Sequence, residues 1–89
     1  MRTPSFSRQF KRDIKLASKR HKEIERLKIV IASLVVGHSL PERYKDHALR
    51  GEFAEYRECH IEADWLLIYK ITRSEIYFAR TGTHADLFG

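Results

Sequence analysis

The sequence predicts an α+β domain in which two N-terminal helices, an αα-hairpin, pack on a small antiparallel sheet. Apolar residues recur at helical spacing up to Val36, and beyond Glu55 the pattern changes to the aromatic and β-branched runs that are typical of strands. The breaks between these runs are too short for crossover connections, so consecutive strands must be antiparallel. A chain of 89 residues, 43% of them apolar, supports one hydrophobic core, and residues 1–89 are expected to form a single domain.

The composition indicates a basic domain without covalent cross-links. Cys59 is the only cysteine, which excludes an intrachain disulfide and a thiolate metal cluster. No apolar run approaches the roughly 20 residues of a membrane span, so we expect a soluble cytoplasmic protein with no membrane partner. The net charge of +5 favours an anionic partner, most commonly nucleic acid, with an inert basic surface as the alternative.

The first elements are a short edge strand over residues 2–5, where Pro4 cannot donate to a ladder, and a helix capped by Ser5 or Ser7. The apolar face of this helix consists of Phe6, Phe10, Ile14 and Ala17, widened by Leu16. Its opposite face carries a basic stripe with only Asp13 interspersed: Arg8, Lys11, Arg12, Lys15, Lys19 and Lys22. A solvated helix surface explains this stripe, but its single sign favours a contact for phosphates or for an acidic partner segment.

A second helix is predicted from about His21 to Val36, with Gly37 as its left-handed C-terminal cap. Its apolar stripe consists of Ile24, Leu27, Ile31, Leu34 and Val35. A second set of apolar residues lies well off this stripe: Ile29, Ala32 and Val36. We expect these three to be buried between the first helix and the sheet, the alternative being a small apolar patch for a partner.

A long polar loop, residues 38–55, separates the helices from three strands at residues 56–61, 65–71 and 75–82. Alternation in the first strand places His60 on the face opposite Cys59 and Ile61. We expect the helices to cover one face of the sheet and to leave the face with His60 free. The chain then ends in a turn or a short helix.

Residues distributed over nearly the whole chain resemble one family of toxins. They include Tyr44-Lys45-Asp46-His47, Leu49-Arg50-Gly51, Tyr56-Arg57, His60 with Asp64-Trp65, Leu67-Ile68-Tyr69-Lys70, and Arg80-Thr81-Gly82-Thr83-His84 with Leu87-Phe88, together with helical residues 13–17 and 19–22. These segments are similar to the YafQ branch of the RelE/ParE toxin superfamily. The resemblance implies a RelE-like microbial RNase fold and a toxin of a type II toxin–antitoxin pair. It further implies an endoribonuclease that cuts mRNA in the ribosomal A site without a cofactor.

Carried over position by position, the resemblance implies a catalytic group of His47, His60, Asp64 and His84, with Trp65 and Phe88 shaping the site or contacting bases. Only the resemblance distinguishes these histidines from His21 and His38. Metal-free RNA cleavage needs a base, an acid and cations for the phosphorane, and histidine suits both proton-transfer roles near neutral pH. Arg80, and also Arg50 or Arg57, could hold the phosphate.

Each of these side chains also has a structural alternative. Trp65 at the start of an apolar strand is more often a core residue, and Phe88 could simply close the core. Asp64 could merely begin a turn. Arg80 could pair with Glu58 or Glu75 across the sheet.

Two other functions are compatible with the residues. The His/Asp cluster could bind zinc or another divalent metal in a metal-dependent nuclease, although no pair has the tight helical spacing of a strong metal motif. The chain could also be a non-catalytic binder, such as a ParE-like gyrase-poisoning toxin. The leading hypothesis implies three partners: mRNA, the ribosome with its 16S rRNA near the A site, and a cognate antitoxin. We expect an acidic C-terminal segment of this antitoxin to fold across the basic helices.

Overall fold

The computed structural model describes residues 1–89 and confirms an α+β fold with two N-terminal helices on a sheet. The elements in chain order are β1 (Thr3–Phe6), α1 (Arg8–Lys19), α2 (Ile24–Val35), β2 (His47–Ala48), β3 (Arg57–Glu62), β4 (Trp65–Ile71), β5 (Glu75–Gly82) and α3 (His84–Phe88). The loop between α2 and β3 also contains two 3₁₀ helices, Glu42–Tyr44 and Gly51–Phe53. The strand order is β1-β5-β4-β3-β2, and every pairing is antiparallel except that of β1 with β5.

The edge of β5 is covered first by β1 and then by α1. The β1 strand pairs only with the first half of β5, from Thr3 opposite Glu75 to Phe6 opposite Phe78. Phe6 therefore lies in β1 and not in the helix, and it stacks on Phe78 with 5.4 Å between ring centroids. Ser7 is the N-cap of α1; the prediction had left Ser5 and Ser7 as alternatives. Its hydroxyl accepts from the Phe10 N–H at 2.8 Å and donates to the Ala79 carbonyl at 2.6 Å.

Asp13 continues this cover of the β5 edge. The sequence places Asp13 among the exposed cations of α1, but the structure buries it beside Phe10 and Ala17. One of its carboxylate oxygens accepts from the Thr81 N–H at 3.1 Å and from Arg80 Nε at 2.8 Å. The carboxylate thus replaces the strand that is missing beside this half of β5.

Helix α2 is shorter than predicted and leaves one apolar side in solvent. The chain turns through a left-handed residue at His21, so that the helix begins at Ile24, and Gly37 follows its C-cap with φ +88°, as predicted. The expected burial of Ile29, Ala32 and Val36 is wrong, because α2 packs on one side only and no second layer covers the other. Ile29 is 62% exposed and Val36 43%.

The second face of the sheet is not free, in contrast to the prediction. Alternation along β4 places Leu67 and Tyr69 in the core beneath the helices, and Leu66 and Ile68 on the opposite face. Both residues of this second pair are nonetheless buried. Helix α3 lies over part of this face: Leu87 lies over Gly82, the cross-strand neighbour of Leu66. Functional residues on this face therefore surround a small second apolar layer.

No helix of the structure is long and apolar enough to cross a lipid bilayer.

Candidate active site

Asp64 and His84 form the closest pair among the predicted catalytic residues. Asp64 lies in the turn between β3 and β4, and His84 is the first residue of α3. One carboxylate oxygen of Asp64 accepts from the His84 backbone N–H at 2.9 Å and lies 2.7 Å from Nδ1 of the ring. The pKa of Asp64 is held below its ordinary value, first by the backbone hydrogen bond and then by the ring. Because the carboxylate accepts, Nδ1 carries the proton and Nε2 points away from Asp64.

His60 stands beside this pair. Cys59 and Ile61 belong to the core under the helices, so alternation along β3 directs His60 to the second face, as predicted. The ring centroids of His60 and His84 are 6.0 Å apart. Phe88, one turn further along α3, has its ring centroid 6.4 Å from that of His84 and remains 47% exposed. Two imidazoles and an open aromatic face thus border the same space.

His47 belongs to the neighbouring row of the sheet. The two-residue strand β2, which the sequence analysis assigned to the loop, places His47 opposite Glu58 of β3. Diagonal neighbours in an antiparallel pair are about 7–8 Å apart, so His47 lies next to His60 in the sheet. The Lys45 carbonyl can only accept, so the His47 Nδ1, 2.6 Å away, donates to it. Nε2 lies 3.1 Å from a carboxylate oxygen of Glu58. Both ring nitrogens of His47 are therefore engaged within the protein.

Trp65 is buried in the core. Its side chain is 1% exposed, and its indole N–H donates to the Thr81 hydroxyl at 2.9 Å inside the core. This position agrees with the core alternative, because the ring is enclosed between the sheet and the helices. The contact with bases stays a prediction. Trp65 supports the strand ends from which His60, Asp64 and His84 project.

The three arginines predicted to hold the phosphate have different surroundings. Arg80 is held by Asp13, and the two partners suggested by the sequence, Glu58 and Glu75, do not pair with it. Arg57 contacts Asp46, with 3.2 Å between Nε and the carboxylate. Arg50 is exposed at the start of the second 3₁₀ helix. Their roles as phosphate ligands stay predictions.

Helix α3 is anchored tightly, and this anchoring fixes His84. Thr83 and Asp86 form a reciprocal capping box at its start. Arg20, at the end of α1, donates to Asp86 at 2.7 Å and lowers the pKa of that carboxyl to about 2, with the Thr83 backbone as a further cause. A Cβ on Gly82 would lie 3.0 Å from both Cβ and a carboxylate oxygen of Asp86. Glycine at this position allows α3 to approach the end of β5.

Sequence reasoning missed three carboxylates around the site. Glu58 is buried against His47; its parity with His60 in β3 was the available signal. Asp13 fits the helical spacing of Phe10 and Ala17, which indicated a buried position despite its charge. Asp46 accepts from the Tyr69 hydroxyl at 2.7 Å and from Arg57, and thereby fixes the backbone next to His47. No sequence signal separates Asp46 from an ordinary loop aspartate.

Two further observations concern metal ligands and the cysteine thiol. No group of three or more histidine, cysteine, aspartate or glutamate side chains is arranged to hold a metal ion. Burial raises the pKa of the Cys59 thiol to about 12, so this thiol stays protonated and is not a nucleophile.

The basic face of α1 is more uniform than the sequence suggested, because Asp13 is turned inward. Its five exposed cations form no ion pair with a carboxylate of the chain: Arg8, Lys11, Arg12, Lys15 and Lys19. Lys22, predicted as the sixth, instead lies 3.6 Å from Glu62 and over the Trp65 ring. The unpaired cations form a continuous positive surface on the helical side of the domain.

Comparison with known proteins gives consistent matches over the full chain. A family model described as "Bacterial toxin of type II toxin-antitoxin system, YafQ" matches residues 2–89. The mRNA interferase toxin YafQ of Escherichia coli K12 is 49% identical over 85 residues, which are 94% of this chain and 92% of that protein.

Solved structures agree with this similarity. The crystal structure of YafQ from E. coli BL21(DE3) has a TM-score of 0.96 with 47% identity and covers 100% of both chains. The toxin in the E. coli DinJ-YafQ toxin–antitoxin complex has a TM-score of 0.93 with 48% identity and covers 99% of this chain and 98% of that one.

Proposed function

The chain belongs to the YafQ family of bacterial type II toxin–antitoxin toxins, and on this premise we propose that it is an mRNA interferase. In this proposal it cleaves mRNA in the ribosomal A site by metal-independent acid–base catalysis and so inhibits translation in the cytoplasm. The observation that carries the proposal is the grouping of His60 with the Asp64–His84 pair on one face of the sheet.

The spacing of these groups suits an in-line phosphoryl transfer. The 2′-oxygen of a ribose attacks the adjacent phosphorus, the bond from phosphorus to the 5′-oxygen breaks, and the products are a 2′,3′-cyclic phosphate and a 5′-hydroxyl. One group must take the proton of the 2′-OH while another protonates the departing 5′-oxygen. Two imidazoles with ring centroids 6.0 Å apart can flank a phosphate on its two sides. We therefore assign the proton transfers to His60 and His84.

Asp64 and His47 have supporting roles in this mechanism. Asp64 fixes the tautomer of His84, which leaves Nε2 available to the substrate. His47 has both ring nitrogens occupied, by the Lys45 carbonyl and by Glu58. It is thus better suited to position the neighbouring His60 and the substrate than to exchange a proton. The exposed face of Phe88 offers a stacking surface for a base next to the scissile phosphate.

The partners follow from the charge distribution and from the relatives. The unpaired cations of α1 form a surface for phosphates of rRNA or for an acidic segment. Because a YafQ toxin has been solved with the antitoxin DinJ, we propose that a cognate antitoxin covers this surface and the adjoining groove. Reversing Lys11, Arg12 and Lys15 to glutamate should abolish antitoxin binding, measured by calorimetry. Retained affinity would place the antitoxin elsewhere.

The catalytic proposal is tested by the reaction products and by two alanine variants. Purified toxin should cut ribosome-bound mRNA in a buffer that keeps Mg²⁺ for the ribosome and contains an excess of a chelator selective for transition metals, and it should leave a cyclic phosphate and a 5′-hydroxyl, detected by end-labelling. His60→Ala and His84→Ala should lose cutting while still binding antitoxin. His38→Ala, an exposed histidine outside the site, is the matched control. Loss of cutting in this chelator with rescue by added zinc or another transition metal would support the metal-dependent alternative instead.

Cuts mapped by sequencing 5′ ends of transcripts should fall in register with codons. Cuts out of register would refute the dependence on the ribosome. Toxicity without any cut would favour the non-catalytic alternative.

A further inference from the structure

A cavity of about 600 Å³ opens beside His60. It lies between α2, the 3₁₀ helix Glu42–Tyr44 and the end of β3, with Ile29 on one wall and Tyr44 on another. Its volume falls within the range of roughly 300–1,000 Å³ that is usual for small-ligand sites. The catalytic roles described above involve only its edge, at His60. A group that fills it would therefore be a direct neighbour of the reacting phosphate.

The charge of this cavity favours an anion. Three cations line it, Arg26, Arg43 and Lys45, against one carboxylate, Glu62. Arg26 already pairs with Glu62 at 3.2 Å. Arg43 and Lys45 form no ion pair, so two uncompensated positive charges remain at the wall. Unpaired cations of this kind bind phosphate oxygens by displacing counterions.

The same wall carries a flat aromatic platform. The guanidinium carbon of Arg43 lies 4.8 Å from the centroid of the Tyr44 ring, and Tyr44 itself packs against the hydrophobic core. Aromatic rings and guanidinium planes are the surfaces on which unpaired bases stack. Because the core holds the ring and the ring supports the Arg43 guanidinium, stacking a base on the guanidinium costs little side-chain entropy. Ile29 supplies an exposed apolar surface on another wall.

Lys45 connects this cavity to the catalytic residues. Its backbone has φ +50°, a left-handed conformation that is uncommon for a residue with a side chain. In this conformation its N–H donates to the Glu42 carbonyl at 2.9 Å and its own carbonyl accepts from His47. A ligand bound at the side chains of Lys45 and Tyr44 would thus sit in a fixed relation to His47.

From these observations we infer that the cavity is a nucleotide subsite. It takes one nucleotide of the mRNA that flanks the scissile phosphate, with the base stacked on the Arg43 guanidinium, which the Tyr44 ring supports, and the phosphate beside Lys45. The inference rests on the proposed function and deepens it, because it identifies residues that position the message without reacting with it.

The test is cutting of synthetic mRNA on purified ribosomes, with the toxin concentration for half-maximal cutting as the readout. Tyr44→Leu, which removes the ring, should raise this concentration about tenfold, and Tyr44→Phe should not. Arg43→Ala should raise it as well, whereas Arg73→Ala in the turn between β4 and β5 is the matched control and should have no effect. Antitoxin affinity and thermal melting verify that each variant is folded; if Tyr44→Leu fails them, Arg43→Ala carries the test.

Messages with a single abasic nucleotide separate stacking from general damage. An abasic nucleotide at the subsite position, on one side of the cut, should weaken wild-type cutting about tenfold and should leave Tyr44→Leu and Arg43→Ala unaffected. The inference would be overturned if an abasic nucleotide on either side of the cut weakened cutting by the wild type and by the variants to the same extent. It would also be overturned if both variants cut intact mRNA like the wild type. Failure of the wild-type toxin to cut any message would instead refute the proposed function, and the inference with it.

Discussion

Removal of the Asp13 carboxylate is expected to destabilise the whole domain. Asp13 is buried, with 7% of the residue exposed. Its carboxylate accepts four hydrogen bonds: from Gln9 Nε2 at 3.2 Å, from Arg80 Nε at 2.8 Å and Nη2 at 3.2 Å, and from the Thr81 N–H at 3.1 Å. Asp13→Ala leaves the Thr81 N–H without a partner in the interior and Arg80 without its counterion.

The expected loss follows from these contacts. Breaking a buried ion pair by removing one partner costs roughly 3–5 kcal/mol. Arg80 is 32% exposed and can recover part of this from water, so we expect a loss of about 3 kcal/mol in the free energy of unfolding. For a domain of this size the melting temperature should then fall by roughly 15 °C. Asp13→Asn retains one acceptor oxygen and should lose only about 1–2 kcal/mol.

Urea unfolding followed by circular dichroism measures this difference, and hydrogen exchange at the Thr81 amide reports the local loss. Glu25→Ala is the matched control, because Glu25 is an exposed partner of Lys28 and should contribute less than about 0.5 kcal/mol. A loss for Asp13→Ala no larger than that of the control would refute the role of this carboxylate at the sheet edge.

Three further outcomes are expected. Gly82→Ala should cost about 1 kcal/mol and reduce RNA cutting, because the new Cβ meets Asp86 at 3.0 Å and displaces α3. Gly51→Ala is the control for stability: its φ of +68° makes alanine strained, so it should also cost about 1 kcal/mol, but its Cβ meets open space and cutting should stay intact. Equal cutting by both variants would contradict this. Glu58→Gln should lower kcat for RNA cutting about 10-fold, less than the 10²–10⁴-fold typical of an acid or base, and an unchanged kcat would exclude a role for Glu58 at His47. Asp86 has a lowered pKa, so its contribution to stability is complete above pH 3.8 and is lost as the pH falls to about 2. The free energy of unfolding of the wild type, measured in urea, should therefore fall more steeply over this interval than that of Arg20→Gln. Parallel curves would count against the ion pair.

Periodicity predicted the helices and the three long strands because their burial follows local spacing. The 3.6-residue pattern marked Phe10, Ala17, Leu27 and Leu34, and alternation directed His60 away from the core. Patterns of this kind need no knowledge of distant segments. The exposed side of α2 was misjudged because an apolar residue such as Ile29 carries no local sign of whether a second layer will cover it.

The errors in the fold involve pairings that are distant in sequence. Strand β2 has two residues and exists only because β3 lies beside it. The parallel orientation of β1 depends on which edge of β5 is open, and no local pattern encodes that choice. Asp13 was placed in solvent on account of its charge, whereas its hydrogen-bond partners come from β5.

The residues of the candidate site were predicted from the resemblance to the toxin family more than from the sequence pattern alone. His47, His60 and His84 lie in three different segments, and only the folded sheet brings them to one face. Spacing could not separate them from His21 and His38. For Trp65 the residues alone predicted the observed burial, because tryptophan at the start of an apolar strand is usually a core residue.

The pairing of β1 with β5 also determines when during synthesis the domain can fold. Thr3–Phe6 leaves the ribosome first but has no partner until Glu75–Phe78 has been made. Contacts between segments so far apart in the chain cannot form in a partial product. A nascent chain released before β5 has an unpaired edge along β4, no partner for β1 and no His84. Interrupted translation of this gene therefore yields fragments without the complete site, and the full set of candidate catalytic residues is present only once α3 has been synthesised.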